Sequence, residues 1–137
     1  MLLFSTIWAH AQQIEGNWYT IDDATGKRKA EVEIKAYGDV YKGQIIQLFT
    51  EPGEDKNPKC TECDQDNKRY NRPITGMYII EGMRYNKDEN VLEGGSILDP
   101  ENGEVYDCKI WLGEDGKLKV RGYVLFMYRT QEWRRAK

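Results

Sequence analysis

Histidine is nearly missing from this sequence. Its one copy, His10, lies among the first eleven residues. Basic excess is missing too: 20 Lys and Arg stand against 23 Asp and Glu, a net charge of −3 with a pI near 5.3. That balance argues against nucleic acid as a partner, because phosphate binding needs clustered cations. No later stretch approaches the roughly 20 apolar residues of a membrane helix. No apolar stripe repeats at helical spacing. There are three cysteines, Cys60, Cys63 and Cys108, so at most one disulfide forms within the chain.

What is present begins with MLLFSTIWAHA. Leu2 to Ala9 is mostly apolar, and the segment carries no Lys, Arg, Asp or Glu. Ala9-His10-Ala11 has the small-x-small form of a signal-peptidase site, which predicts a signal peptide over 1–11 cleaved before Gln12. A basic leading region is lacking, and an apolar first strand is the alternative. No cysteine follows the small residues, which argues against a lipid anchor. Cleavage would remove the one histidine. Ser-His-Asp and Cys-His catalysis, a histidine base and histidine metal ligands would go with it. The remainder, 12–137, is short enough for one domain.

That remainder alternates with period two. Gly94 to Leu112 reads as strand, turn, strand. Asp99-Pro100-Glu101-Asn102-Gly103 supplies the turn, and Tyr106, Cys108, Ile110 and Leu112 share a face. In Lys29 to Ala36, Ala30, Val32, Ile34 and Ala36 oppose Lys29, Glu31, Glu33 and Lys35. Further strands are predicted at Glu15–Asp22, Val40–Phe49, Ile74–Tyr85 with a bend at Gly82, Val91–Leu98, Lys117–Leu125 and Met127–Arg135. Eight strands in order, mostly with short connections, predict an all-β fold. A small antiparallel up-and-down barrel fits best, since closure removes edge strands. The pattern stops from Thr50 to Arg72, leaving one long cysteine-containing loop. A short helix near Cys63 to Asn67 is weakly signalled.

Several motifs together carry a resemblance. Gly16-Asn17-Trp18-Tyr19-Thr20-Ile21-Asp22-Asp23, Cys60-x-x-Cys63, Arg72-Pro73-Ile74 with Gly76, and Gly94-Gly95-x-Ile97-Leu98-Asp99-Pro100-x-Asn102-Gly103-x-x-Tyr106-x-Cys108 occur in that order. Val120-Arg121-Gly122 and Arg129-Thr130-x-x-Trp133-x-Arg135 follow. The set resembles domain-of-unknown-function family 2147, a group of secreted bacterial proteins, over about Ile14 to Arg135. The chain departs from that pattern at Leu125 to Tyr128, where the family often has a glycine. The resemblance implies a signal peptide and a periplasmic or secreted location, and no established activity. A looser likeness is to lipocalin-type barrels, which begin with Gly-x-Trp and pack a late arginine over that tryptophan. Trp18 with Arg121 or Arg129 would fill those parts.

In an oxidising compartment a structural disulfide is expected, either Cys60–Cys63 or one of these with Cys108. A thioredoxin-like redox pair is disfavoured, because no helix start follows to lower a thiol pKa. Three thiolates plus Asp64 or Asp66 lack an evident fourth zinc ligand. Asp22-Asp23, Asp99 and Asp107 suit turn hydrogen bonding as well as acid–base work. The basic end, Arg129, Arg134, Arg135 and Lys137, reads as solvated. Tyr41, Tyr78, Tyr106 and Tyr123 are candidates to line a barrel mouth. An arginine at the Trp133 end would be either a plug or an anion anchor.

The expectation is a barrel without catalytic, metal or cofactor residues that binds a small apolar or amphipathic molecule. Its candidate contacts are Trp18, Tyr41, Tyr106, Arg121, Tyr123, Arg129 and Trp133. The alternative is an envelope interaction module using the 50–72 loop. A tightly filled barrel would count against the first.

Overall fold

Trp18 and Trp133 sit at the heart of the chain, both almost without solvent exposure. They belong to a barrel in a computed structural model that describes residues 13–136. The predicted signal segment 1–11 and its cleavage point lie outside the described residues.

Eight antiparallel strands follow in order: β1 (Gly16–Ile21), β2 (Arg28–Tyr37), β3 (Val40–Leu48), β4 (Tyr78–Asn86), β5 (Val91–Leu98), β6 (Val105–Leu112), β7 (Leu118–Val124) and β8 (Met127–Arg135). Each pairs with its neighbours, and β1 meets β8 to close the barrel. The up-and-down eight-stranded expectation is therefore met. Closure is narrow: the seam consists of Trp18 opposite Arg135 and Tyr19 opposite Arg134.

Alternation decides which side chains enter. On β2, Ala30, Val32 and Ile34 are buried, while Glu31, Glu33 and Lys35 face outward. Ile45, Ile80, Met83, Leu92, Ile110, Leu118 and Val120 join them in the core. Fully burying a side chain of this kind contributes roughly 1.5–3 kcal/mol. Strand β4 bends at Gly82, as expected, with φ of 73°. It starts at Tyr78 rather than Ile74, because Ile74 to Met77 is a turn pinned to Ile45.

The long segment between β3 and β4 is ordered by its own bonds. Lys59 bridges Pro73, the Cys60 amide donates to the Arg72 carbonyl, and the Ile74 amide donates to the Pro58 carbonyl. The weakly signalled helix at Cys63–Asn67 is instead a run of turns. There the Asn67 amide donates to the Asp64 carbonyl, and the Tyr70 amide to the Asn67 carbonyl. Asp64, Asn67 and their polar neighbours hold amides by local side-chain bonds, which favours turns over helix.

Candidate functional site

The two ends of the barrel differ. At the closed end, where β1 begins and β8 finishes, Ile14 is buried and its carbonyl accepts the Trp18 indole hydrogen bond at 2.8 Å. The Arg135 guanidinium lies 4.0 Å from the centre of the Trp18 ring. It donates to the carbonyl of Glu15 at 3.0 Å and to that of Gln13. Gly16 makes room for it: φ is +121°, and an added Cβ would lie 3.0 Å from the Arg135 Nη1. The Glu15 carboxylate accepts the Ala36 amide at 3.1 Å. Tyr41 and Tyr85 fill the same end as half-buried phenols. Burial raises the pKa of both, and the Glu15 charge adds to the effect on Tyr41.

This corrects the expected partner of Trp18. The stacking arginine is Arg135, not Arg121 or Arg129; it packs on Trp18 while remaining exposed, as expected of the basic end. Arg129 pairs with Asp23 at the other end. Arg121 sits on the outer wall between the Trp111 and Tyr128 rings, at 4.9 and 4.1 Å, and donates to Thr130 at 2.7 Å.

The opposite end is the mouth, where the β1–β2, β3–β4, β5–β6 and β7–β8 connections gather. Tyr106 points inward there. It lies over Gly122, whose absent Cβ would come 3.3 Å from the Tyr106 Cβ. Its hydroxyl accepts from Asn102 at 3.2 Å. Thr20, Leu48, Tyr106, Gly122 and Gln131 are half-buried, in contrast to the fully buried residues below them. Ion pairs Lys27–Glu51, Lys29–Glu101 and Arg129–Asp23 tie the connections together. Asp22 is a turn former: it accepts the Ala24 and Thr25 amides, which lower its pKa. Asp99 accepts the Glu101 amide in the same way.

The long loop leans on this end. Cys60 and Cys63 form a disulfide and are buried, which resolves the connectivity. Cys108 is free and buried, and desolvation pushes its thiol pKa up to about 12, far from a nucleophile's range. Among the described residues no three His, Cys, Asp or Glu side chains are grouped to hold a metal. Gly103 touches the loop backbone: an added Cβ would lie 1.8 Å from the Glu62 carbonyl oxygen.

The seven candidate contacts therefore do not converge. Trp18 and Trp133 are core, and Tyr41 is at the closed end. Tyr106 is at the mouth with Arg129 above it, while Arg121 and Tyr123 are outside. Tyr78 is also outside, edge-on to Tyr37 at 6.3 Å. The two depressions that stand out, of about 400 and 460 Å³, lie on the outer wall. One is floored by Gly94 and Gly95 beside Asp107 and Tyr123; the other runs along the β1–β8 seam by Tyr19, Arg28 and Arg134. Neither is lined by Trp18, Ile80, Met83, Leu92, Ile110 or Trp133, which are buried together in the core along the axis.

A closed eight-stranded barrel, with Gly-x-Trp on the first strand and an arginine from the last stacked on that tryptophan, defines an up-and-down barrel of lipocalin type. A solved structure, protein HP1028 from the human pathogen Helicobacter pylori, described as belonging to the lipocalin family, is similar with a TM-score of 0.72. The likeness covers 90% of this chain and 83% of that one at 17% identity, and it shows the fold alone. The family of uncharacterized proteins conserved in bacteria, DUF2147, matches residues 16–135, and the chain belongs to that family. No curated protein matches it. Among the described residues no helix is long and apolar enough to cross a membrane.

Proposed function

We propose that this protein is a non-enzymatic binding barrel, exported to the periplasm or beyond, that takes a small, partly apolar molecule at its mouth. One observation carries the reading. Large side chains fill the closed end, whereas the mouth offers small or half-buried ones: Thr20, Ala30, Gly122 and Tyr106. The Tyr106 ring covers Gly122 and Cys108 and is held there by one exposed hydrogen bond to Asn102. Turning that ring outward opens room beside an apolar wall. Arg129, beside the mouth, would supply a cation for an acidic head group by exchanging its Asp23 partner.

The test is a titration with anilinonaphthalene sulfonate, an amphipathic fluorescent anion, alongside native mass spectrometry of the exported protein. Saturable enhancement that Gly122→Leu abolishes, with Trp18→Phe unaffected, is the expected result. Enhancement indifferent to Gly122→Leu, or none, would remove the mouth as the site. The loop-docking alternative has less support. Cys60, Cys63 and Met77 turn inward, and the exposed surface of the 50–72 segment is mostly polar, with Tyr70 its one large exposed hydrophobe.

A further inference from the structure

The β7–β8 hairpin carries the most exposed apolar surface of the described chain. Leu125 and Phe126 are each 91% exposed, followed by Met127, Tyr128 and Val124. Val124 pairs with Met127, so Leu125 and Phe126 alone form a two-residue turn. With positive φ at the first of its two central residues only, such a turn favours glycine there. Leu125 nevertheless adopts φ of 56°, uncommon for a bulky side chain. Turn chemistry therefore does not explain Leu-Phe at this place.

The rungs of the hairpin are ordered by polarity. Leu125 and Phe126 form the tip. Val124 and Met127 come next, then Tyr123 with Tyr128, then Gly122 with Arg129, then Arg121 with Thr130. At about 3.3 Å per residue the tyrosines lie roughly 7 Å, and the arginines roughly 10–13 Å, behind the tip. Hydrocarbon, interfacial aromatics and cationic groups at phosphate depth follow the same sequence in a lipid bilayer.

We propose that this hairpin tip inserts into the interface of a phospholipid bilayer, with Arg121 facing the phosphates. A bilayer suits the tip better than a protein surface, because the apolar side chains project from both faces of the hairpin. A protein groove covers one face; lipid surrounds both. Charge near the tip is partly balanced: Asp23 is paired with Arg129, Glu51 with Lys27 and Glu101 with Lys29, while Asp99 and Glu104 of the β5–β6 connection have no cation partner among the described residues. Arg121 uses its Nε on Thr130, and its remaining donors are free to meet a phosphate. The inference stands apart from ligand binding, since it needs nothing inside the barrel.

The test is flotation of the purified protein with phosphatidylcholine vesicles, with and without phosphatidylglycerol. The Leu125→Gly/Phe126→Asn variant puts glycine at the positive-φ position while removing the wedge, so its fold is not at risk. The parent is expected to float, more strongly with phosphatidylglycerol, and the double variant to lose about tenfold or more in partitioning. A Phe126→Trp variant should shift its emission to the blue on adding vesicles. Failure of the parent to float with either vesicle, or equal flotation of the double variant, would overturn the proposal. So would tip-dependent capture of a protein partner by a chain that ignores both vesicles.

Discussion

The closed end and the mouth of this barrel use the same strands and opposite means. At the closed end a few large groups interlock: Trp18, Arg135, Ile14 and the carbonyls that Arg135 and Trp18 engage. At the mouth four connections are tied by surface ion pairs and by a loop leaning on Gly103. Exposed ion pairs contribute about 0–1 kcal/mol each, whereas a buried tryptophan contributes several. The lesson is a division of labour. Stability is concentrated at the closed end, and the mouth is held by weaker, more exposed contacts.

The largest break comes from Trp18→Ala. Removing a fully buried tryptophan should cost about 3–5 kcal/mol in urea unfolding. Tyr106→Ala, at the mouth, should cost clearly less because its ring is half-exposed. Equal losses would end the distinction between the two ends. Next comes Gly103→Ala. The added methyl meets the Glu62 carbonyl at a residue with φ of +77°, so the loss should fall toward the top of the roughly 1–3 kcal/mol for overpacking. Its signature is local: Cys60–Cys63 should become faster to reduce, while the emission of the buried tryptophans stays unchanged.

Arg135→Gln is smaller, about 1–2 kcal/mol, from lost stacking and hydrogen bonding to two carbonyls. Arg135→Lys should recover only part of it, because an ammonium cannot stack flat on Trp18 while reaching both carbonyls. Hydrogen exchange of the Trp18 indole checks both variants. If Arg135→Gln leaves that proton protected, the arginine is not what locks this end.

The sequence made much of the closed end readable and little of its partners. Alternation in Lys29–Ala36 and Tyr106–Leu112 marked the inward faces correctly, and Gly16-x-Trp18 marked the first strand. The identity of the stacking arginine was not readable. Arg129 and Arg135 lie on the same face of β8, and which of them reaches Trp18 depends on the register at closure, Trp18 opposite Arg135. That register follows from barrel shear, which no local pattern carries. Tyr123 was legible by parity, since it shares the face of Lys119 and Arg121, opposite that of Gly122. Tyr78 was not, because the β3–β4 pairing shifts register beside Gly43 and places Tyr78 opposite Gln44. At the mouth, the Cys60–Cys63 spacing pointed to a tether but left Cys108 as an open partner.

The smallest effect on stability, and the finest probe of the boundary between the two ends, belongs to Cys108. On the inner face of β6 it lies between Tyr106 at the mouth and Ile110 in the packed half, flanked by Gly95 and Gly122. Its thiol pKa is raised from 9.0 to about 12 by burial. The folded state therefore holds this proton more tightly than the unfolded chain does. The thiol's contribution is complete below pH 9.0 and declines as pH rises toward about 12, so this group makes stability fall with pH across that window. Near neutral pH an alkylating reagent can reach Cys108 only when the structure opens. If opening is global, Trp18→Ala should speed labelling in step with its loss of stability. If the mouth opens by itself, as the division of labour requires, labelling should be nearly indifferent to Trp18→Ala and faster in Gly103→Ala. Labelling that tracks global stability in every variant would mean the barrel opens as one unit, and the difference between its ends would be one of composition alone.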